Sequence, residues 1–361
     1  MFQKRVAIIS AEAEGTTKEM CQSILRCTQE LPILKIAFFG LPADNKTYLA
    51  DYHTLHTCVE EYFPQSTPLV SYIAQQPFEA SLVAEVTMLA EDNVAVKHTP
   101  RYIVLEKEEK SELITEGIIP QDITLSTFRQ AVDIFATISD ILEQTGFAIS
   151  DIYRQWNYIE GITDEELGSQ NYQEFNDARS TFYNREEWKN GYPAATGIGT
   201  GRGGVMIELY AAKGKCNTNL PIDNPLQISA HSYSQNVLAG DEEYKTTPKF
   251  ERARISGDTI YISGTAAIRG EQSLNSNDTL SQAVATMEIM NFLVSPKNIM
   301  AECTDTKYDL LRIYVKRHED IASIKQYMQQ HYPAPQKQYL VSDICRPELL
   351  IEIEGIAHII K

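Results

Sequence analysis

The sequence predicts an α+β protein of two domains, built from mostly antiparallel sheets with helices packed on one face. Three observations carry that expectation. The C-terminal third alternates strand-like and helix-like segments in the order ββαβαββ, which folds naturally into a sheet covered by helices. Parts of the same pattern occur earlier, between residues 124 and 162. At 361 residues, the chain exceeds what one ordinary hydrophobic core organises.

From the N-terminus, Lys4 and Arg5 precede "VAIIS" (6–10), a stretch too short for the apolar core of a secretion signal and suited to a first strand. "TLSTFRQAVDIFATISDIL" (124–142) has helical spacing and is followed by the strand-like "DIYRQWNYIEGI" (151–162). "NYQEFNDARSTFYNREEW" (171–188) reads as an amphipathic helix. "YPAATGIGTGRGG" (192–204) is the least regular part, a wide turn or a pocket-lining loop ahead of the strand "VMIELYAA" (205–212). "DTIYISGTAAI" (258–268) is a strand, and "TLSQAVATMEIMNFLV" (279–294) a helix with Thr279 as candidate cap. "YDLLRIYVKR" (308–317) returns to strand, "EDIASIKQYMQQHY" (319–332) to helix, and "KQYLVSDI" and "LLIEIEGIAHII" (349–360) end as strands. Both helices that open with Thr-Leu-Ser lead to an Asp-x-x-Arg strand, with Arg154 opposite Arg312. The match indicates an internal duplication.

Composition excludes several function classes. A formal charge of −17 opposes binding to nucleic acid, which requires clustered Lys and Arg to displace counterions. No apolar run reaches the length that spans a bilayer. The cysteines at 21, 27, 58, 216, 303 and 345 form no C-x-x-C pair and no zinc spacing, so they read as reduced, mostly buried thiols of a cytoplasmic protein. The Gly-x-Gly elements near residue 200 lack the strand, spacing and acidic residue of a dinucleotide fingerprint, and no P-loop Lys-Ser/Thr is present.

The residues that invite chemistry are charged groups in unusual places. In "LLIEIEGIAHII" Glu352 and Glu354 share one face of a strand by alternation, either as the wet face of a surface strand or as a functional pair. Arg179, among aromatics on the 171–188 helix, is either solvated or turned inward to hold a carboxylate, which a guanidinium fork matches. Arg252 and Arg254 in "PKFERARISGD" carry the same choice.

"YISGTAAIRGE" followed by "IEIEGIA" resembles the RidA/YjgF family of small α+β proteins. "YQEFNDARSTFY", "YPAATGIG", "DNPLQISAHSY", "PKFERA" and "DICRPELLIEIEG" resemble, in order, the chorismatase (FkbO-like) branch. The resemblance spans roughly residues 150–361. It implies two RidA/YjgF-like (chorismate-mutase-like) domains: a divergent one over 1–150, and a catalytic one over 151–361 with a Gly-rich insertion at 190–250. It implies an enzyme that cleaves the enolpyruvyl ether of chorismate to pyruvate plus a dihydroxycyclohexadiene carboxylate or a hydroxybenzoate, without metal or redox cofactor. The family's proton donor stands seven residues after the cysteine of its C-R-x-x-L segment, which from Cys345 is Glu352. Arg179 and Arg252 would hold the two carboxylates of chorismate or a similar dicarboxylate, with Arg346 a further candidate. Gly264 and Thr265 would form the pocket floor, and Cys345 would shape it. The cleft is expected between domains or across a homotrimer, so a monomer or a trimer would serve; neither nucleic acid nor membrane is an expected partner. Where chorismatases carry Gly-His-Glu-Ser or Gly-His-Glu-Thr, this chain has Gly270, Glu271, Gln272 and Ser273, without the histidine. The alternatives are an imine deaminase of the RidA type and a non-catalytic carboxylate-binding protein.

Overall fold

Hairpin and crossover connections sort the strands of this chain into three large sheets. A computed structural model describes residues 1–28, 32–166, 168–214, 219–238, 245–274, 277–299 and 303–361. Cys216 and part of the expected 190–250 insertion lie outside the described residues. The first sheet takes β1 (Lys4–Ser10), β2 (Ile33–Gly40), β3 (Leu69–Ile73) and β4 (Leu82–Leu89), with α1 (Thr17–Arg26) and α2 (Asn45–Tyr62) between them. The second holds β5 (Ala95–His98), β6 (Tyr102–Lys107), β7 (Lys110–Thr115), β8 (Ile152–Glu160), β9 (Ala194–Thr200) and β10 (Val205–Gly214), with α3 (Thr127–Thr145) and α4 (Asn171–Tyr183). The third holds β11 (Leu220–Ile222), β12 (Ala253–Ser256), β13 (Thr259–Ala266), β14 (Asp305–Val315), β15 (Gln336–Val341) and β16 (Ile351–Ile360), with α5 (Thr279–Leu293) and α6 (Ile321–His331). Residues 76–77 add a short edge to it.

The three sheets share one four-stranded core. Its order is β1-β4-β2-β3 in the first, β7-β10-β8-β9 in the second and β13-β16-β14-β15 in the third. In each, the first three strands pair antiparallel and the last pair is parallel. The α+β class with mostly antiparallel sheets and helices on one face is therefore present. The likeness of 124–162 to 279–321 corresponds to the second and third of these units, and residues 4–89 repeat the order once more. The second unit crosses the expected boundary at residue 150, because β8 hydrogen-bonds to β10, which hydrogen-bonds to β7. Residues 194–214, placed with the Gly-rich insertion, are two strands of that sheet.

Local chemistry explains the element ends. Thr16 and Glu19 form a capping box on α1, and the Asp44 side chain accepts from Thr47 at the start of α2. The cap of α5 is Asp278, not Thr279; Thr279 is the first helical residue, and its hydroxyl donates to Asp320 at 2.5 Å. The helix expected over 171–188 stops at Tyr183. The Gly-rich stretch is strand β9 because neighbours approach its backbone too closely for a side chain. A Cβ at Gly197 would stand 2.9 Å from the Tyr172 ring, and one at Gly199 2.7 Å from the Asp343 carbonyl oxygen. No helix among the described residues is long and apolar enough to cross a membrane.

Helices cover one face of each sheet, as where Ile134, Phe135, Phe175 and Phe182 pack beneath the second, or Met287, Met290, Ile324 and Met328 beneath the third. The opposite faces converge, and Tyr153, Trp156, Tyr158, Tyr210, Tyr261 and Tyr314 belong to one central core with the first sheet. Charges inside that core are paired between sheets in a cycle. Lys35 on β2 meets Glu208 on β10 at 2.7 Å, Arg154 on β8 meets Glu354 on β16, and Arg312 on β14 meets Glu85 on β4 at 2.6 Å. Each carboxylate is the fourth residue of its sheet's closing strand. Such pairs add little net stability over apolar packing, but removing one partner strands a buried charge, so the ring fixes how the sheets meet. Two residues earlier, the closing strands carry Val83, Met206 and Glu352. Only the third has an acid there.

Candidate active site

A cavity of about 460 Å³ opens between the second and third units. Helix α4 contributes Tyr172, Gln173 and Asn176 to one wall, with Gly197 from β9 beside them. The opposite wall is Gly264 and Ala266 of β13 with Glu352 of β16. Arg252, Tyr233, Cys345 and Arg346 close the rim. Both walls thus come from a single chain.

Strand geometry places the acid. Glu352 pairs with Ala266 across β13 and β16, where the register is irregular between Ile262 and Thr265. Its carboxyl lies against Gly264, where a Cβ would come within 2.1 Å of Oε1. Glu352 is 4 % exposed, and it has no hydrogen-bond or ion-pair partner among the described residues. Burial, reinforced by the charge of Glu354 and opposed by that of Arg154, pushes its pKa up to about 8. Glu354, equally buried, behaves in the opposite way. It accepts from Arg154 and Thr196, from Trp156 Nε1 at 3.1 Å, from Arg312 Nη1 at 2.8 Å and from the Tyr314 hydroxyl at 2.9 Å. Burial works against its charge, but the two arginines and the hydroxyl donors hold it below the ordinary carboxylate range. One face of one strand therefore presents a protonated acid and an ionised carboxylate at neutral pH.

The remaining expected residues divide between wall, rim and surroundings. Arg252 reaches the cavity with Nη2 on the Ile228 carbonyl (2.5 Å) and the Tyr233 hydroxyl (2.8 Å), while its buried Nε has no partner. Arg346 also faces it, its Nη1 donating to the Glu271 carbonyl at 2.9 Å and its guanidinium lying over the Tyr233 ring at 5.4 Å. Pro347 does not turn it away. Arg179 stands one layer behind the wall, buried, with Nη2 donating to Asn176 Oδ1 at 2.5 Å and Nε unpartnered. It has turned inward, and burial together with its charge lowers the pKa of the nearby Lys249. Cys345 lines the cavity, and burial and then the charge of Glu352 push its thiol up to about 12, so it stays protonated.

Thr265, expected on the floor with Gly264, is not in the wall. Its neighbour faces the cavity, and the hydroxyl of Thr265 donates instead to the Ser263 carbonyl at 2.9 Å. Glu271, standing where the family histidine would, accepts from the Ser234 backbone (2.9 Å) and hydroxyl (2.7 Å), so it fastens the segment that carries Tyr233. Sequence reasoning missed Asn176, Gln173 and Tyr233, whose roles depend on where α4 and the 230–238 segment dock. It treated Arg154 only as a marker of the repeat.

A family model described as "Chorismatase FkbO/Hyg5-like, N-terminal" matches residues 88–211. Over that stretch the chain is similar to chorismatases. It is 28% identical over 239 residues to a 3-hydroxybenzoate synthase of Streptomyces hygroscopicus, covering 62% of this chain and 67% of that protein. It is 26% identical over 231 residues to a chorismatase of Streptomyces rapamycinicus, covering 62% and 68%. A solved chorismatase superposes with a TM-score of 0.72 at 18% identity over 98% of both chains, so the arrangement of all three units is a chorismatase fold. The family match begins in β4 and ends in β10, so it includes the α4 wall of the cavity.

Proposed function

We propose that this protein cleaves the enolpyruvyl ether of chorismate, releasing pyruvate, with Glu352 as the general acid. The observation that carries the reading is Glu352 itself: a buried carboxyl without a partner among the described residues, protonated at neutral pH, facing a cavity between two units of a chorismatase fold. An enol ether is cleaved after a proton adds to its terminal methylene carbon, because the resulting cation is stabilised by the ether oxygen. Water then adds to that cation, and the hemiketal collapses by breaking the bond between its carbon and the ether oxygen, which releases pyruvate and leaves the oxygen on the ring as a hydroxyl; loss of water from the resulting dihydroxycyclohexadiene carboxylate gives a hydroxybenzoate. A carboxyl with a pKa near 8 can supply the proton, and the carboxylate left behind stabilises the cation.

The substrate is a dicarboxylate, and the cavity lining includes the cations Arg252 and Arg346. Arg252, which lines the cavity, binds one carboxylate, and Arg346 lies beside it over the same tyrosine ring. Arg179 acts on the other end through Asn176, which stands in the wall. Gly264 gives the acid its seat, and Cys345 shapes the wall as a neutral thiol. Of the possible products we favour a hydroxybenzoate, on the likeness to the 3-hydroxybenzoate synthase. The test is to incubate the purified protein with chorismate and follow pyruvate enzymatically and the aromatic product by chromatography. Glu352→Gln keeps the shape and removes the proton, so its rate should fall at least about a hundredfold with binding retained. Absence of pyruvate from the unmodified protein, or full activity in Glu352→Gln, would refute the reading.

A further inference from the structure

Glu352 and Glu354 lie two residues apart on one face, roughly 7 Å along the strand, yet Arg154 is bound to only one of them. The ring of ion pairs explains the choice. In the first two sheets the fourth residue of the closing strand, Glu85 or Glu208, is the carboxylate that receives a cation from a neighbouring unit, and the second residue is apolar. In the third sheet Glu354 holds the ring position, and Glu352 stands where the others have Val83 and Met206. We propose that Glu354 is a positioning residue of this site: by holding Arg154 in the ring, it keeps the neighbouring Glu352 without a cation partner. The proposal rests on the reading of Glu352 as proton donor.

The contacts around Arg154 support it. The guanidinium lies over the Trp156 ring at 4.3 Å, and Nη2 donates both to Glu354 and to the Thr196 hydroxyl, the latter at 2.8 Å. The same hydroxyl bonds Glu354 and accepts from the Gly264 backbone at 3.0 Å, which ties the ring to the seat of Glu352. The charged and titratable groups acting on Glu352 are Glu354 on its own strand and Arg154 from β8; Tyr172 from α4 and Cys345 from the preceding loop also face it. Of these, Arg154 alone is a cation. Were Glu354 uncharged, Arg154 would lose its ion-pair partner, and Glu352, on the same face and already subject to the Arg154 charge, is the carboxylate left beside it. An ion pair there would hold the acid deprotonated and useless as a donor.

The experiment titrates Glu352 directly. Side-chain carboxyl carbons are observed by NMR in protein labelled with ¹³C-glutamate, the Glu352 signal being the one lost in Glu352→Gln, and pyruvate release is recorded against pH alongside. In Glu354→Gln the Glu352 midpoint should move down by at least about one pH unit, which is tenfold in the protonated fraction on the alkaline side. The pH profile of pyruvate release should move with it. In Glu354→Gln/Arg154→Met, with the cation gone, the midpoint should return towards its original place. A midpoint that does not fall in the single variant, or does not recover in the double, overturns the proposal. Should Glu354→Gln fail to fold, Arg154→Met alone must raise the midpoint, and one that stays or falls overturns it equally. A midpoint that behaves as expected while pyruvate release ignores it leaves the positioning of the proton intact and refutes the general-acid reading instead.

Discussion

Replacing Gly264 with alanine separates the chemistry of the site from the stability of the fold. The added methyl would lie 2.1 Å from Glu352 Oε1, 2.9 Å from its carboxyl carbon and 3.1 Å from Thr196 Cγ2. Contacts that short do not persist, so a neighbour must move. The backbone of Gly264 is held by its bond to Thr196 and by the pairing of the adjacent Thr265 with Ile353, whereas the Glu352 carboxyl is the end of a rotatable chain with no partner among the described residues to lose. The carboxyl is therefore what moves, by about 1 Å or more. For the fold this is cheap: overpacking by one methyl costs about 1–3 kcal/mol, and here the lower end applies because the yielding group is flexible. For proton transfer it is expensive, since a misplacement of about 1 Å can cost a hundredfold in rate.

The expected outcome for Gly264→Ala is thus a pyruvate-release rate reduced by about a hundredfold, with thermal unfolding lowered by no more than a few degrees, since a shift of about 2–4 °C per kcal/mol is typical of larger domains. Steady-state kinetics on chorismate and calorimetry on the same sample measure both. A variant with its rate intact would show that Glu352 does not deliver the proton from the seat that Gly264 provides. One that unfolds far below the parent would show that the strand, not the acid, absorbs the strain.

Two further outcomes follow from the same geometry. Arg252→Ala removes a guanidinium from the cavity lining, so the KM for chorismate should rise by roughly ten- to a hundredfold, as for loss of a charge-assisted hydrogen bond, while kcat changes less; an unchanged KM takes Arg252 out of the site. Stability should also carry the signature of Glu352, whose folded pKa of about 8 lies above the ordinary 4.5. Its contribution is fully present below pH 4.5 and is lost as pH rises through about 8, because the unfolded chain releases that proton first. Glu352→Gln should therefore gain stability relative to the parent at pH 9 compared with pH 5, by a few kcal/mol at most. Parallel denaturant midpoints at the two pH values would show the acid to be ionised in the folded state.

The C-terminal unit was legible because its β-branched strand runs alternate with apolar helical segments, and the middle unit partly so through its matching Thr-Leu-Ser and Asp-x-x-Arg segments. The first unit was not. Its strand β2, "ILKIAFFG", is buried along its whole length, and a strand buried on both faces shows no alternation to read. Strand β9 escaped notice because glycine is depleted in strands, and only the ring of Tyr172 and the carbonyl of Asp343 explain its use there. Glu352, Arg252, Gly264, Cys345 and Arg346 do gather around one cavity. Thr265 does not, since a residue beside Gly264 in a strand points to the opposite face.

What no local pattern could reveal is why two glutamates on one face differ. Alternation makes Glu352 and Glu354 alike, and both lie among the same isoleucines. The difference arises from partners distant in the chain: Arg154, Trp156 and Thr196 from the second unit, and Arg312 and Tyr314 from the third, all converge on Glu354. The same ring recurs at the other two junctions through Lys35 with Glu208 and Arg312 with Glu85, where the position two residues earlier is Met206 or Val83. At those junctions the apolar residue has no charge to titrate, and the ring serves only to join the sheets. At the third, the ring absorbs the cations and leaves an additional acid beside it, unpaired among the described residues, buried and protonated, which is the condition general-acid catalysis at neutral pH requires.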